Sequence, residues 1–417
     1  MDDRGFEAAA ARIDELIERG INGSDGAPSG TSSASSGTGG SSGSSGGAAG
    51  KPGGASGGRL FSGAACGIWV GGRALHQRYA GSLAPDEGGG PVGADSLFDL
   101  ASLTKPLCTA ILAMRAREAG LFPLDATLGS ILPESAARDV PLGAILAHAG
   151  GLPAVPALER LFPDARAIDP ARPELAARAA AEAERGLLSL APVEPWGRRV
   201  EYSCTGYMLL GLALRRVAGK GLGELFRDEI AAPLGLRDAA FLPPPQAVPR
   251  IAATELCPWR GRRLRGEVHD ESAFCVGGAA GNAGLFATLR EVRAIAAIFL
   301  NGGRGDPGPD GSEGARILGE ESVRLMTACA AEGLGRRRAI GFAMHDDETQ
   351  DGPSWPAAAF GHTGYTGTSV FVEPGRRLLA VALTNRVYYG RESTAAAIGA
   401  FRRALHGEAL AGLDRLR

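Results

Sequence analysis

Ser102 and Lys105 stand three residues apart in the run LFDLASLTKPLCTA (97–110), whose only other charged residue is Asp99. Positions i and i+3 are neighbours on a helix, so the two side chains would face the same way. A serine at a helix N-terminus sits in the positive end of the dipole, which favours developing negative charge. A lysine beside it could accept its proton and make it a nucleophile. Composition singles this lysine out: of 44 Lys and Arg residues, only Lys51, Lys105 and Lys220 are lysines. Arginine keeps its proton in a protein, whereas a lysine desolvated in apolar surroundings is driven toward the neutral amine, a base. The alternative is a lysine whose stem covers apolar surface while its head reaches water. The Ser-x-x-Lys spacing occurs once, since Ala48 and Val217 lie three residues before Lys51 and Lys220.

Two other segments carry polar groups of the right kind. VEYSCTGYMLLG (200–211) places Tyr202 and Cys204 ahead of an apolar helical pattern; read by itself, Tyr202 fits a buried tyrosine with a satisfied hydroxyl better than a catalytic one. FGHTGYTGTSVFVEP (360–374) reads as a strand dense in glycine, which lets another backbone or a substrate approach closely. His362 could donate a hydrogen bond to substrate there, and the Tyr365 N–H could form an oxyanion hole with that of Ser102. The alternative is a glycine-rich edge strand with a structural histidine.

These segments need a scaffold. Residues 5–20 give an amphipathic helix with Phe6, Ile13, Leu16 and Ile17 on one face, either packed on the main body or tethered to it. Residues 23–58 are a Gly/Ser-rich linker or insert with too little apolar surface to fold, and its GGSSG carries no strand-to-helix turn that would make it a nucleophile site. A hairpin on Gly71–Gly72 follows. A helix then runs from near Ser102 to Gly120, with Pro106 close to its start, where missing donors cost least. From about 121 to 245 the pattern is mainly helical, and GNAGLFATLREV opens another helix. TSVFVEPGRRLLAVALT gives two antiparallel strands, and a last helix is expected from Ser393, as cap, to Gly407. The expected class is α/β of the α+β kind: one antiparallel sheet built from both ends of the chain, flanked by helices, with an inserted all-helical subdomain.

The formal net charge of −2 and the lack of a basic stripe argue against nucleic acid. The six cysteines form no CxxC pair and there is no HExxH, so no metal or other cofactor is expected, and scattered single cysteines fit a reducing compartment. No export signal and no apolar run near the ~20 residues of a bilayer span is visible; the expected location is cytoplasmic, unless the true start lies upstream. His148 reads as structural; His269 and Asp270 could line a cleft.

Taken together, the order Ser-x-x-Lys, Tyr-x-(Asn) about a hundred residues on, and a (Lys/His)-Thr-Gly strand near the C-terminus resembles the serine β-lactamases and penicillin-binding proteins. Class C β-lactamases, D-alanyl-D-alanine carboxypeptidases and related esterases are the nearest in pattern. The resemblance covers roughly residues 60 to 405 and includes LAHAGGLP (146–153), VHDESA (268–273) and GGAAGNAGLF (277–286). It implies the β-lactamase/transpeptidase-like fold, in a hydrolase domain at 59–410 following an N-terminal helix (1–22) and the linker. It also implies an acyl-enzyme on Ser102, with Lys105 and Tyr202 as general bases and the Ser102 and Tyr365 amides as the oxyanion hole. Cys204, His362, Thr363 and Gly364 would bind a small ester, peptide or β-lactam-type substrate. Two positions depart from the pattern. Cys204 replaces the asparagine, and a thiol is a poor partner for a substrate amide. His362 replaces the lysine and is mostly neutral near pH 7. Both weaken the hold on an amide that bears a carboxylate, so the expectation is an esterase or carboxypeptidase-like serine hydrolase with weak β-lactamase activity. A metal-dependent hydrolase and a non-catalytic binding module with the same fold are the rival readings.

Overall fold

The computed structural model describes residues 5–23, 58–167, 173–308, 310–346 and 349–416. The body of the Gly/Ser segment, 24–57, lies outside the described residues. Strands β1 (Gly63–Val70) and β2 (Arg73–Gly81) form the expected hairpin. Gly71 and Gly72 turn it at φ +56° and +88°, two consecutive left-handed positions that only a residue without Cβ adopts freely.

Three short strands, β3 (Phe98–Asp99), β4 (Ala240–Phe241) and β5 (Leu285–Ala287), make a small antiparallel sheet in the order β3-β5-β4. The main sheet adds β6 (Ala343–Met344), β7 (Phe360–Thr363), β8 (Ser369–Glu373) and β9 (Leu378–Thr384) to the hairpin, in the order β2-β1-β9-β8-β7-β6. All neighbours are antiparallel, and β1 pairs with β9 so that Ala64 faces Thr384 and Val70 faces Leu378. Both ends of the chain therefore build one sheet, as the pattern implied.

The strand period of two distributes side chains between two cores. Ile68, Phe371, Ala380 and Ala382 pack under α1 (Glu7–Asn22) and the C-terminal helix Ala395–Asp414, with Phe6, Ile13, Ile17, Phe401 and Leu405. Each fully buried Phe or Ile contributes about 1.5–3 kcal/mol. Val370, Val372, Leu379, Val381 and Leu383 face the larger core. There they meet α2 (Ala110–Glu118), α3 (Cys204–Ala218) and α4 (Leu289–Ala297), the last entered through a reciprocal cap between Thr288 and Glu291. The C-terminal helix is α5. Between 121 and 245 the chain forms the helices Leu142–Leu146, Leu158–Leu161, Pro173–Leu188, α3 and Leu222–Phe226, with β4 at the far end. No helix among the described residues is long and apolar enough to cross a membrane.

Two sequence expectations are corrected. The last helix is capped neither by Ser393 nor ended by Gly407. Its N-cap is Thr394, whose hydroxyl donates instead to Gly390 O. Gly407 lies inside the helix, which continues because Ala409, Leu410 and Leu413 are buried against α1. Gly412 provides the close approach there, since a Cβ would strike Ala9 and Phe6. The helix at Ser102 does not begin as an α-helix: a 3₁₀ turn (Ala101–Leu103) leads into a π turn (Lys105–Thr109) before α2. Pro106 lacks the N–H that an α-helical turn would use, and π turns of this kind gather at functional sites.

Candidate active site

Ser102 follows Ala101, which is held at φ +48°, in the left-handed region. That strain needs support, and Asp99 provides it. One carboxylate oxygen accepts the Ala101 N–H at 2.8 Å and the other the His269 N–H at 2.7 Å. Burial still pushes the Asp99 carboxyl above its usual range, the two N–H donors offsetting part of the rise.

Lys105 is fully buried. Its ammonium donates to Ser102 Oγ at 3.0 Å, Asn282 O at 3.1 Å and Cys204 Sγ at 3.4 Å. Three N–H groups thus meet three acceptors, which suits the charged form of lysine. Burial pushes Lys105 down, but Cys204 and Tyr202 push it up, and the net direction is above its ordinary value. This corrects the expectation of a lysine driven to the neutral amine by apolar surroundings. The run around it is apolar, but the residues the fold brings to its tip are not.

The Tyr202 hydroxyl hydrogen-bonds Ser102 Oγ at 2.7 Å, and the Tyr202 ring lies 4.8 Å from Lys105 Nζ. Burial raises the Tyr202 phenol and the Lys105 charge lowers it, leaving it above its ordinary value. Tyr202 is fixed from behind. Ser203 caps α3, its Oγ accepting the Gly206 N–H at 3.0 Å and donating to Pro153 O at 2.7 Å. The Ser203 N–H donates to His148 Nδ1 at 3.1 Å, and the His148 ring packs 4.6 Å from that of Tyr202. Burial, then the Arg338 and Lys105 charges, hold His148 well below its ordinary value, and the acceptor nitrogen at Nδ1 fits a neutral ring. The LAHAGGLP and VEYSC segments are therefore one unit. VHDESA and GNAG also meet, Asn282 Nδ2 donating to Asp270 at 3.3 Å. His269, which the sequence allowed to line the cleft, is instead buried with Nε2 3.0 Å from Glu255.

β7 and the residue after it bring His362, Thr363 and Gly364 to the same cleft, a cavity of about 550 Å³ that Ser102, Tyr202 and Tyr365 also line. His362 Nδ1 lies 2.8 Å from Thr363 O. A carbonyl can only accept, so Nδ1 carries the hydrogen and Nε2 is left as a buried, unpartnered lone pair. Burial, then the Lys105 and Arg338 charges, keep His362 well below its ordinary value. In this state Nε2 accepts a hydrogen bond rather than donating one, which reverses the sequence expectation. Gly364 is required by contact: a Cβ would strike Thr368 Oγ1 and Leu100 O. The Tyr365 N–H makes no hydrogen bond among the described residues.

Sequence reading missed three participants. Asn282 offers its backbone carbonyl to Lys105, a role that no side-chain motif announces. Arg338 lies 5.9 Å from the Tyr202 ring and makes no ion pair among the described residues, so the cleft keeps a free guanidinium charge. Arg402 reaches the cleft from α5, where FRRALHG reads as an ordinary polar helix face.

The chemistry open to this arrangement is that of a serine hydroxyl between an ammonium and a phenol, in a cleft that Tyr365, whose N–H is unused, also lines. Known proteins share the fold and the family of this chain. A putative D-alanyl-D-alanine carboxypeptidase of Escherichia coli strain K12 is 28% identical over 349 residues, 74% of this chain and 73% of that protein. A penicillin-binding protein homologue from Caulobacter crescentus shares the fold at a TM-score of 0.64 and 21% identity, over 97% of each chain. EstCE1, a hydrolase with promiscuous acyltransferase activity, does so at 0.65 and 20%, over 97% of this chain and 99% of its own. Residues 52–404 match the family described as Beta-lactamase; with its antiparallel sheet, its Ser-x-x-Lys turn and its His-Thr-Gly strand, the chain belongs to the beta-lactamase family.

Proposed function

We propose that the protein is a serine hydrolase that passes through an acyl-enzyme on Ser102 and acts on an ester or peptide-type substrate. The observation that carries this is Ser102 Oγ within hydrogen-bond reach of both Lys105 Nζ and Tyr202 OH, at 3.0 and 2.7 Å. Ser102 Oγ attacks the acyl carbon as its proton passes to the Lys105–Tyr202 couple. The oxyanion is held by the Ser102 and Tyr365 N–H groups, and Tyr202 returns a proton to the leaving group. Water then repeats the sequence on the acyl-enzyme. The hydrolase and carboxypeptidase names among its relatives support this reading. The test is incubation with a fluorophosphonate and with a penicillin, then mass mapping; the adduct is expected on Ser102, and an adduct elsewhere overturns the assignment.

The couple's charge sets a pH dependence. The active form is one proton short of the resting ammonium–phenol pair, and both groups sit above their ordinary values. A group raised in this way holds its proton through neutral pH. kcat/KM for a neutral aryl ester is therefore expected to climb from about pH 6 to about pH 9, with a log–log slope near one. A plateau reached below about pH 7 would show that another group is the base.

Substrate preference follows from two residues. Arg338 offers a carboxylate the charge that neutral His362 does not, and the terminal carboxylate of a D-alanyl peptide or a penicillin is such a group. Cys204 leaves the amide contact weak. Losing one strong hydrogen bond costs about 1.5–3 kcal/mol, or roughly ten- to a hundred-fold in kcat/KM. Short aryl esters are thus expected to turn over readily, while penicillins acylate slowly. Cys204→Asn is expected to raise penicillin acylation more than ester hydrolysis. An improvement confined to the ester would refute this account of position 204.

A further inference from the structure

The turn after β7, residues 364–368, has every carbonyl engaged. Gly364 O accepts from Arg402 Nη2 at 2.6 Å and from the Gly367 N–H at 3.1 Å. Tyr365 O accepts from Arg386 Nε at 2.7 Å, and Thr366 O from the Arg386 N–H at 2.8 Å. Gly367 O accepts from Thr384 Oγ1 at 3.0 Å. Thr368 O accepts from Arg402 Nη2 at 2.9 Å and the Gly364 N–H at 2.7 Å. Thr366 and Thr368 stitch the turn to Asp99 O and Leu100 O, just before the nucleophile, at 2.7 and 2.9 Å.

Arg402 is unusual within this set. It comes from α5, is buried, and makes no ion pair among the described residues; its remaining bond is to Gln350 Oε1 at 2.9 Å, and its Nε has no partner. Burial, then the nearby Arg386 charge, push its guanidinium down to about 9. A buried cation held only by neutral acceptors is a costly way to bind two carbonyls, so stability alone gives a poor reason for it.

The Gly364 carbonyl and the Tyr365 N–H belong to one peptide group. In a trans peptide the C=O and N–H point in opposite directions. Fixing the oxygen on the Arg402 side therefore holds the hydrogen on the other side. A charge-assisted bond on the oxygen also polarises the N–H and strengthens it as a donor. We propose that Arg402 is a positioning residue for the oxyanion hole, acting through the Gly364–Tyr365 peptide and not by touching substrate. The inference rests on Ser102 being the nucleophile and the Tyr365 N–H an oxyanion donor.

The experiment uses the full-length protein, Arg402→Met and Arg402→Lys, with a neutral aryl ester, its carboxylate-bearing counterpart, and an arylboronic acid that forms a tetrahedral anion on serine. For Arg402→Met, kcat on the neutral ester is expected to fall at least about ten-fold with KM within about three-fold, and boronate affinity to fall by the same factor as kcat/KM. Arg402→Lys, which keeps a charge but not the fork, is expected to fall between; it carries the test if Arg402→Met does not fold, as read by thermal unfolding. Loss confined to the carboxylate-bearing ester would make Arg402 a substrate contact and overturn the proposal. So would a folded variant with unchanged kcat and boronate affinity. Wild-type protein that forms neither a boronate nor a fluorophosphonate adduct on Ser102 would overturn the underlying reading instead, before any variant is compared.

Discussion

Ser102→Ala is expected to abolish covalent labelling and to lower kcat at least about a thousand-fold, a loss of roughly 4 kcal/mol of barrier stabilisation. Among the described residues no other side-chain hydroxyl or thiol hydrogen-bonds both Lys105 and Tyr202, as Ser102 Oγ does. Cys204 is the rival nucleophile, but among the described residues its sulfur hydrogen-bonds only Lys105 Nζ, at 3.4 Å, and no histidine that could act as its base. The substitution also leaves one Lys105 N–H without an acceptor, which costs about 1–3 kcal/mol of stability. Activity and thermal unfolding must be measured together, so that a fall in folded fraction is not counted as lost chemistry. A folded variant that keeps more than about a thousandth of wild-type kcat would remove Ser102 from the nucleophile's role.

The parts of the site that were legible in the sequence are those set by local spacing. Ser102 and Lys105 meet because they are three residues apart on one turn, and Gly71–Gly72 turns a hairpin whatever surrounds it. Tyr202 and His362 were legible as motif members, but their states were not. Whether His362 gives or accepts a hydrogen bond is decided by Thr363 O, and the charge of Lys105 by a thiol 99 residues away and a carbonyl 177 residues away. The two contacts of Lys105 are long-range and leave no periodic trace, and the His362 contact, though to the next residue, depends on a ring orientation that no residue type announces. Arg402 shows the same limit from the other side. Its sequence neighbour is Arg403, and a pair of arginines on a terminal helix ordinarily reaches solvent. Only the packing of α5 under the sheet turns that guanidinium onto the carbonyls of 364 and 368. The end of α5 failed for a related reason, because Gly407 stops a helix only where no partner rewards continuation, and α1 provides one.

Lys105→Arg is expected to be nearly as damaging as Lys105→Met, each losing at least about a hundred-fold in kcat/KM. The resting ammonium is matched to three acceptors in a fully buried site. A guanidinium is larger, planar and five-donor, and cannot place three hydrogens where Ser102, Cys204 and Asn282 need them. Its second defect is chemical. The couple must release one proton to become a base, and lysine can do so at the cost set by its raised affinity, whereas arginine keeps its proton throughout. The methionine variant lacks the charge that lowers Tyr202 as well as the proton store. The pH profile separates these losses: in Lys105→Arg any residual activity depends on Tyr202 alone, so the rising limb should move relative to wild type rather than merely shrink. If Lys105→Arg instead keeps more than about a tenth of wild-type kcat/KM, with the limb in place, then a fixed positive charge suffices beside Ser102. The scarcity of lysine elsewhere in the chain would then carry no chemical meaning for this position.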